Sequence, residues 1–346
     1  MIPSVEGILN LFYTKDMRLY SIIIPVYNRP DELDDLLSSL CKQTYVHFEV
    51  IVVEDGSTIP AKEIVRRYQE RLDLHYCVIT NSGPGMARNH GARQARGEYL
   101  LILDSDVVLP STWLEHIHDS LNHYPVDAFG GPDKAYVSFF PIQKAINYAM
   151  TSFLTTGGIR GGKKKLDKFY PRSFNMGVRA EVYKALGGFS KMRFGEDIDF
   201  SIRIFQGGYA CRLFPEAWVW HKRRTDLKKF FKQVHNSGIA RINLYKKYPE
   251  SLKVVHLLPA LFTIGIVFLL LCSLVCSWSL SLLLLFALII CVDSTLRNKS
   301  FKIGLLSILA SFIQLIGYGT GFLRAWWKRC VLGKNEFAAF EKNFYK

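Results

Sequence analysis

The sequence has little of what would indicate a disulfide-bonded, zinc-binding or secreted protein. Its seven cysteines include no CxxC pair, and three of them lie in apolar runs, so we expect neither a disulfide framework nor a zinc site. The N-terminus lacks the basic start, apolar core and small-residue cleavage site of a signal peptide, so no such peptide is expected.

Acidic residues are also scarce. The chain has 30 Asp and Glu residues against 44 Lys and Arg, a formal charge of +14, which suits an anionic partner such as nucleic acid, a nucleotide or an acidic membrane surface. Two stretches, 159–172 and 221–233, are strongly basic, but no nucleic-acid recognition module accompanies them. We therefore reject nucleic acid and expect the second stretch, which precedes a series of apolar blocks, to be interfacial.

Asp, Glu, Lys and Arg are absent from three apolar blocks in the last third of the chain, at 254–276, 278–292 and 303–323. A helix needs roughly 20 apolar residues to cross a bilayer, so the first and third blocks are long enough and the second is short. Lys/Arg-rich segments should stay on the cytoplasmic side, yet the connector 293–302 and the C-terminal tail are both basic and flank one block. The number and direction of the crossings therefore stay open.

The change of composition near residue 253 divides the chain into predicted units. We expect an α/β domain first and two to three transmembrane helices after it. The units are an N-terminal segment that is a candidate for an interfacial position (1–18), the α/β domain (19–222), a basic amphipathic interfacial segment (223–253), a hydrophobic membrane region (254–325) and a basic tail (326–346).

The α/β domain alternates strand-like and helix-like segments. Strand-like runs at 19–27, 48–55, 74–80 and 98–103 are separated by segments with helical apolar spacing. This order predicts a mostly parallel, doubly wound sheet, in which the carboxyl ends of the strands share the edge where ligands bind. "PVYN", "VEDGS" and "LDSD" each follow a strand, so we expect them to converge.

Two carboxylates one residue apart, Asp104 and Asp106, follow the apolar run "YLLIL". Acids at the end of a buried strand are costly to place unless a cation neutralises them. A divalent cation that bridges the phosphates of a nucleotide diphosphate would do so, and Asp oxygens suit Mg²⁺ or Mn²⁺. The alternative is a loop in which one Asp caps the next helix.

Several segments in a fixed order carry a resemblance to a known family. They are "SIIIPVYNRPDELDDLLSSL", "FEVIVVEDGS", "GPGMARNHGARQARGEYLLILDSDVVLP", "FNMGVRAEVYKALGGF" and "GEDIDFSIRI". Over 21–221 the chain resembles a family-2 glycosyltransferase of the GT-A fold, the inverting class that uses nucleotide sugars. The resemblance implies a Rossmann-like catalytic domain with a mostly parallel central sheet, followed by an all-α membrane region. It is specific for the fold and much less specific for the sugar.

The resemblance identifies "DSD" as the DxD signature of the family. It implies Asp106 as the direct metal ligand, Asp104 near the ribose or the metal, and Ser105 in the nucleotide-sugar site. His221 matches a position where many relatives supply a metal ligand, although a lone histidine is more often structural or exposed. The implied cofactor is Mn²⁺ or Mg²⁺.

The resemblance also implies a nucleotide site. Asp55 would hydrogen-bond a uracil-type base edge, and Pro25 and Tyr27 would pack on the base, while Glu54 stands where an Asp is common. Taken without the resemblance, "EDGS" is an ordinary polar turn. The other residues that the resemblance assigns to nucleotide-sugar binding are Asn28, Arg88, Asn89 and Asn175; Arg88 has the alternative of a solvated helix position.

Three acids in five residues, "GEDID" (195–199), indicate a general base. Inversion is a single displacement, so one carboxylate must take the proton of the attacking acceptor hydroxyl. Apolar and like-charged neighbours are expected to raise the pKa of this base. The resemblance assigns the base to Asp197, with Glu196 or Asp199 in support. The alternative is a helix N-terminus enriched in acids that complement the helix dipole.

The predicted function is metal-assisted, inverting transfer of one sugar from a nucleotide-diphosphate sugar, expected to be UDP-linked, to a lipid or lipid-linked glycan. The predicted location is the cytoplasmic (inner) membrane, with several spans and the catalytic domain facing the cytoplasm. A processive polysaccharide synthase is the alternative, but "QVHNSGIAR" has Gln233 and Arg241 without the Trp of a QxxRW signature. A non-catalytic membrane protein that binds nucleotide sugars is the rival from another class; the intact "DSD" and "GEDID" speak against it.

Overall fold

The structure, a computed structural model, describes residues 17–135, 139–157, 169–192, 194–222 and 226–335. The N-terminal segment up to residue 16, most of the basic stretch 159–172 and the end of the tail from residue 336 lie outside the described residues, so the expectations for them stay predictions.

A mostly parallel sheet of seven strands forms the centre of the α/β domain, as the alternation of strand and helix signals predicted. The described residues form ten strands in two sheets: β1 (Tyr20–Val26), β2 (Phe48–Asp55), β3 (Leu74–Ile79), β4 (Tyr99–Leu103), β5 (Val107–Val108), β6 (Ala128–Gly130), β7 (Asp133–Ala135), β8 (Asn175–Arg179), β9 (Cys211–Leu213) and β10 (Val219–His221). The sheet order is β3-β2-β1-β4-β8-β6-β9; β1 to β4 pair in parallel, and β8 runs antiparallel to its neighbours β4 and β6. A smaller sheet has the order β5-β10-β7.

Helices cover both faces of the sheet and then form a separate helical region. The helices are α1 (Pro30–Leu40), α2 (Lys62–Arg66), α3 (Pro84–Ala92), α4 (Trp113–His123), α5 (Pro141–Thr151), α6 (Phe153–Thr156), α7 (Ala180–Ala185), α8 (Glu196–Gln206), α9 (Leu227–Lys247), α10 (Leu258–Cys272), α11 (Ser281–Asn298) and α12 (Phe301–Trp326). Side chains alternate across each strand. Ile22 and Ile24 of β1 therefore join one core layer, and Ile23 joins the other.

Strand pairing brings the predicted polar segments together. Strands β1, β2 and β4 end at the same edge of the sheet, because their pairing is parallel. In the smaller sheet β10 runs antiparallel to β5, with His221 opposite Val107. The backbone N–H of Lys222 donates to the carbonyl oxygen of Asp106 at 3.0 Å. This register places His221 beside the "DSD" segment, although 114 residues of sequence lie between His221 and Asp106.

The helical region has a helix in each of the three apolar blocks, for which two to three spans were predicted. The first apolar block forms α10, a helix of only 15 residues. A span needs roughly 20 residues, so the prediction that this block is long enough to cross a bilayer is wrong. The second block was expected to be short, but its helix continues through the polar residues 293–298. Within the described part of the chain, two helical segments are long and apolar enough, by length and composition alone, to cross a membrane: Trp278–Asn298 and Phe301–Val331.

Glycines let α12 approach α9 closely. A Cβ added to Gly321 would lie 2.0 Å from the carbonyl oxygen of His235, and a Cβ added to Gly238 would lie 2.2 Å from that of Tyr318. Ala310, nearer the start of α12, lies in one apolar cluster with side chains of α5 and α9. One face of α9, which lies in the segment predicted to be interfacial, is therefore buried against protein.

Candidate functional site

The carboxyl edge of the large sheet forms one wall of a cleft of about 960 Å³. Helices α9, α10 and α12 contribute the opposite wall, so the cleft lies between the α/β domain and the helical region. The convergence expected from the parallel sheet is observed. The sequence-predicted site residues that line this cleft are Pro25, Tyr27, Asp55, Arg88, Asp104, Ser105, Asp106, Glu196 and Asp197.

Two carboxylates and one imidazole meet at the sheet edge. One potential ligand atom from each of Asp104, Asp106 and His221 lies within 4.8 Å of the others. His221 Nε2 is 3.2 Å from Asp106 Oδ1, and the His221 ring stacks on Phe174 with a centroid distance of 5.1 Å. Carboxylate oxygens suit Mg²⁺ and Mn²⁺ whereas imidazole suits transition metals, so these donors fit Mn²⁺ better than Mg²⁺.

Two arginines pair with acids of the cleft. Arg29 Nη1 lies 3.1 Å from Oδ2 of Asp106, whose residue is only 7% exposed. Arg88 is buried and bridges two segments, with Nη2 2.7 Å from Asp104 and Nη1 3.0 Å from Glu196. The "DSD" segment was expected to need a divalent cation for charge balance. In the structure, protein cations already supply part of that balance.

The predicted base, Asp197, lies at the N-terminus of α8 and is paired with an arginine. Arg172 Nε donates to Asp197 Oδ2 at 2.6 Å, and the backbone N–H of Ile198 donates to Oδ1 at 2.8 Å. Burial by itself would raise the pKa of Asp197, but Arg172 and then Arg88 outweigh it and hold this pKa below its ordinary value. The expectation of a raised pKa is wrong for Asp197. Burial and the adjacent Asp197 charge raise the pKa of Glu196 instead.

Asp199, proposed as an alternative supporting acid, does not line the cleft. It is fully buried and accepts hydrogen bonds from Ser190, Arg203, Lys247 and Tyr248 at 2.5–3.0 Å. Burial would raise its pKa, but the Lys247 ammonium and the other donors hold the pKa below its ordinary value. These contacts tie α8 to the end of α9, so Asp199 has a structural role.

Asp55 and its neighbour Glu54 point to different partners. Asp55 accepts backbone N–H hydrogen bonds from Ser82 at 2.7 Å and Gly83 at 2.9 Å, immediately before α3. Burial raises the pKa of Asp55, and these two donors offset only part of that rise. Glu54 accepts from the backbone N–H of Ala61 at 2.6 Å. Asp55 therefore both faces the cleft and fixes the loop that precedes α3.

Three predicted nucleotide-site asparagines make contacts with the protein itself, and none of them lines the cleft. The side chain of Asn28 accepts from the Thr58 N–H at 2.8 Å. Asn89 donates to the Phe189 carbonyl at 2.8 Å. Asn175 is buried and donates to the Ala217 carbonyl at 2.7 Å. The structure thus places these side chains where they hold loops and strands around the cleft.

Sequence reasoning did not assign Arg29 and Arg172 to the site. Arg29 directly follows "PVYN", and Arg172 ends the basic stretch 159–172, so the order of residues offered a weak signal for each. The helical wall was missed for a different reason: nothing in the segment 223–325 indicated that its polar residues would face the strand ends.

Two family models match the chain. Residues 21–187 match "Glycosyl transferase family 2", and residues 171–296 match "Glycosyl transferase family group 2". Together the two matches extend from the first strand of the large sheet into α11.

Individual relatives cover the chain to different extents. The chain is 44% identical over 94 residues to the poly(ribitol-phosphate) beta-N-acetylglucosaminyltransferase TarS of Staphylococcus aureus, a match covering 26% of this chain and 16% of TarS. It is 28% identical over 255 residues to glycosyltransferase AglE of Haloferax volcanii, which covers 70% of this chain and 82% of AglE. The matched part of the chain thus spans only about a sixth of the length of TarS.

The fold also resembles a solved structure. The mannosyltransferase PcManGT from Pyrobaculum calidifontis superposes with a TM-score of 0.61 at 18% sequence identity, covering 88% of this chain and 87% of that one. The likeness supports the predicted class, a GT-A catalytic domain followed by an all-helical region.

Proposed function

Since this chain belongs to glycosyl transferase family 2, an enzyme family, we propose that it transfers a single sugar from a nucleotide-diphosphate sugar, UDP-linked, to a lipid or lipid-linked glycan. One observation carries the proposal. The acids Asp104 and Asp106, suited to the leaving group, and the acids Glu196 and Asp197, suited to the acceptor, line the same cleft.

On the donor side the chain's own residues bind and orient the nucleotide sugar. Pro25 and Tyr27 offer a surface for the base beside Asp55, and Arg88 holds Asp104 in place at 2.7 Å. Asp106 and His221 would hold the metal. A bound Mn²⁺ or Mg²⁺ supplies Lewis-acid stabilisation of the negative charge that develops on the diphosphate.

On the acceptor side the proposed general base is Asp197. The acceptor hydroxyl oxygen attacks the anomeric carbon, the bond from that carbon to the diphosphate breaks, and the hydroxyl proton passes to Asp197. Arg172 keeps Asp197 ionised, ready to accept the proton, and fixes its orientation through the 2.6 Å hydrogen bond. Arg88 links Glu196 to Asp104, so one buried side chain spans from the donor side to the acceptor side.

The relatives support a nucleotide-sugar donor. TarS is named as an N-acetylglucosaminyltransferase acting on poly(ribitol-phosphate), and PcManGT has been solved with GDP-Man and Mn²⁺. A nucleotide sugar and a divalent metal in the cleft of this chain are consistent with both.

We further propose that the helical region anchors the protein to the cytoplasmic face of the membrane. Around the turn between α10 and α11, Leu274, Val275 and Trp278 are 82%, 95% and 81% exposed. Apolar surface of this extent is typical of protein–membrane or protein–protein contact. Because α12 packs on α5 and α9, the membrane would meet chiefly α10, α11 and the outer face of α12.

The test is sugar transfer by the purified full-length protein with Mn²⁺ and a panel of nucleotide sugars, with mass spectrometry of lipid products. The Asp197→Asn variant should lose about 10²–10⁴-fold in kcat and still bind UDP. Equal turnover in both proteins would exclude Asp197 as the base. Binding of UDP without turnover in the wild type would favour the non-catalytic rival, and product length that grows with time would favour the processive synthase.

A further inference from the structure

The helical wall of the cleft carries positive charge and no carboxylate. The acids among the described lining residues all belong to the α/β domain, whereas the charged lining residues of the helical wall are Lys229, Lys232 and Arg241 of α9. The two walls therefore differ in sign, and a ligand that extends from the strand ends to the helices meets cations there.

Arg241 differs from the other arginines of the cleft. Arg29, Arg88 and Arg172 each contact a carboxylate at 3.1 Å or less. Arg241 makes no ion pair among the described residues, and its buried Nε has no hydrogen-bond partner there. A buried guanidinium nitrogen without an acceptor is unfavourable, and an anionic ligand would relieve this.

His256 adds a directed donor next to Arg241. It is 9% exposed, lines the cleft and precedes α10. Its Nδ1 accepts from the backbone N–H of Lys253 at 3.0 Å, so Nε2 carries the ring proton. Burial, with the nearby charges of Arg241 and Lys253, lowers the pKa of His256 to about 3. The ring is therefore a neutral donor near neutral pH.

Two more features of the helical wall line the same cleft and favour an anion. The Gln314 Oε1 on α12 is buried without a hydrogen-bond partner, and its amide can turn to present an N–H₂ group to an anion. The first residues of α10, Leu258 and Pro259, line the cleft, and the positive end of a helix dipole favours an anion.

Apolar side chains adjoin these polar groups. Val255, Leu258 and Leu315 line the helical side of the cleft, and α10 continues into exposed apolar residues such as Leu261 and Ile264. We propose that Arg241, together with His256 and Gln314, binds the phosphate group of an acceptor whose apolar chain lies along α10. The phosphate site does not depend on the proposed function, but the identification of its ligand as the sugar acceptor rests on that function.

Calorimetry of the full chain in neutral detergent tests the proposal with three soluble probes: octyl phosphate, octanol and inorganic phosphate. Octyl phosphate should bind the wild type at least tenfold more tightly than the other two. Arg241→Gln should weaken octyl phosphate about 10- to 100-fold and leave UDP affinity within about twofold. Arg241→Lys, which keeps the charge, should retain most of the affinity. Arg66→Gln, at an exposed position on α2, is the matched control.

Each of the other possible results would contradict one part of the proposal. Unchanged octyl phosphate binding in Arg241→Gln would show that Arg241 is not part of the site. Octanol binding as tight as that of octyl phosphate would show that the site does not recognise the phosphate group. Inorganic phosphate binding as tight as that of octyl phosphate would show that the apolar chain does not contribute to binding. Displacement of octyl phosphate by UDP would assign Arg241 to the donor. If Arg241→Gln does not fold, His256→Phe takes its place and should weaken octyl phosphate several-fold. These binding measurements do not require sugar transfer. The proposed function and the phosphate site can therefore be disproved independently of each other.

Discussion

Arg172 donates a 2.6 Å hydrogen bond from Nε to Oδ2 of Asp197, 25 residues further along the chain. The carboxylate proposed as the general base is thus held by a cation and has a lowered pKa. A base of this kind is fully ionised at neutral pH, and acidification should impair it only below the ordinary aspartate range.

Arg172→Gln should therefore move the acid limb of the kcat–pH profile upward. Removal of the cation lets burial raise the pKa of Asp197, and a base must be deprotonated to act, so activity is lost at a higher pH than in the wild type. The expected displacement is about one pH unit or more, measured as kcat at saturating donor. Arg172→Lys should stay near the wild type, and Arg66→Gln is the control. An acid limb that does not move, and that lies above the ordinary Glu range, would identify Glu196 as the titrating base.

Asp106→Ala should weaken Mn²⁺-dependent UDP binding by at least about tenfold, since it removes one of three clustered ligands and the loss of even an outer partner costs about 10- to 100-fold. Mn²⁺ binding followed by electron paramagnetic resonance, with and without UDP, gives a readout that needs no turnover. Glu63→Gln, at an exposed acid on α2, should bind as the wild type does. Equally tight, metal-dependent UDP binding in Asp106→Ala would refute its assignment as a ligand.

Asp199→Asn should reduce the free energy of unfolding by about 1.5–3 kcal/mol, because it removes the buried anion that accepts charge-assisted hydrogen bonds from Arg203 and Lys247. Since the pKa of Asp199 is lowered by folding from its ordinary 3.8, its stabilisation is present above that value and is lost as the pH falls through the folded pKa. Denaturant unfolding at pH 7 and at pH 3 should show a smaller difference between variant and wild type at the acid pH. Asp226→Asn, an exposed N-cap, should stay within about 0.5 kcal/mol because Asn caps equally well.

Gly321→Ala should destabilise the contact between α9 and α12 by about 1–3 kcal/mol, since the added Cβ would lie 2.0 Å from the His235 carbonyl and overpacking strains a close contact. Gly265→Ala in α10 is the matched control: nothing lies within 4 Å of its added Cβ, and alanine favours the helix by up to about 1 kcal/mol. Thermal unfolding in detergent compares the two. Equal Tm values would contradict the close packing.

Leu274→Glu combined with Val275→Glu should lower partitioning into anionic lipid vesicles by at least about tenfold, because two largely exposed apolar side chains would no longer enter the bilayer. Flotation measures the bound fraction. Val46→Glu, 78% exposed in the α/β domain, is the control and should float as the wild type does. Unchanged flotation of the double variant would show that the turn between α10 and α11 does not contact the membrane.

The sequence predicted the sheet and the gathering of the strand-end residues because both depend on local signals. Apolar runs define the strands, helical spacing defines the crossovers, and parallel pairing then brings Pro25, Asp55 and Asp104 to one edge. It did not predict the roles of Asn89 and Asn175, which contact protein rather than the cleft, because their partners Phe189 and Ala217 are distant in sequence.

The sequence by itself determined the fold class, the family resemblance and the acids of the cleft, since strand patterns and short motifs are written in consecutive residues. The tertiary structure decided the lowered pKa of Asp197, the lack of an ion pair at Arg241 among the described residues and the burial of α12 against α9. Each of these depends on which distant charge or backbone atom comes within a few ångströms. Burial strengthens such interactions because little water remains to screen them, and no local pattern of residues records that proximity.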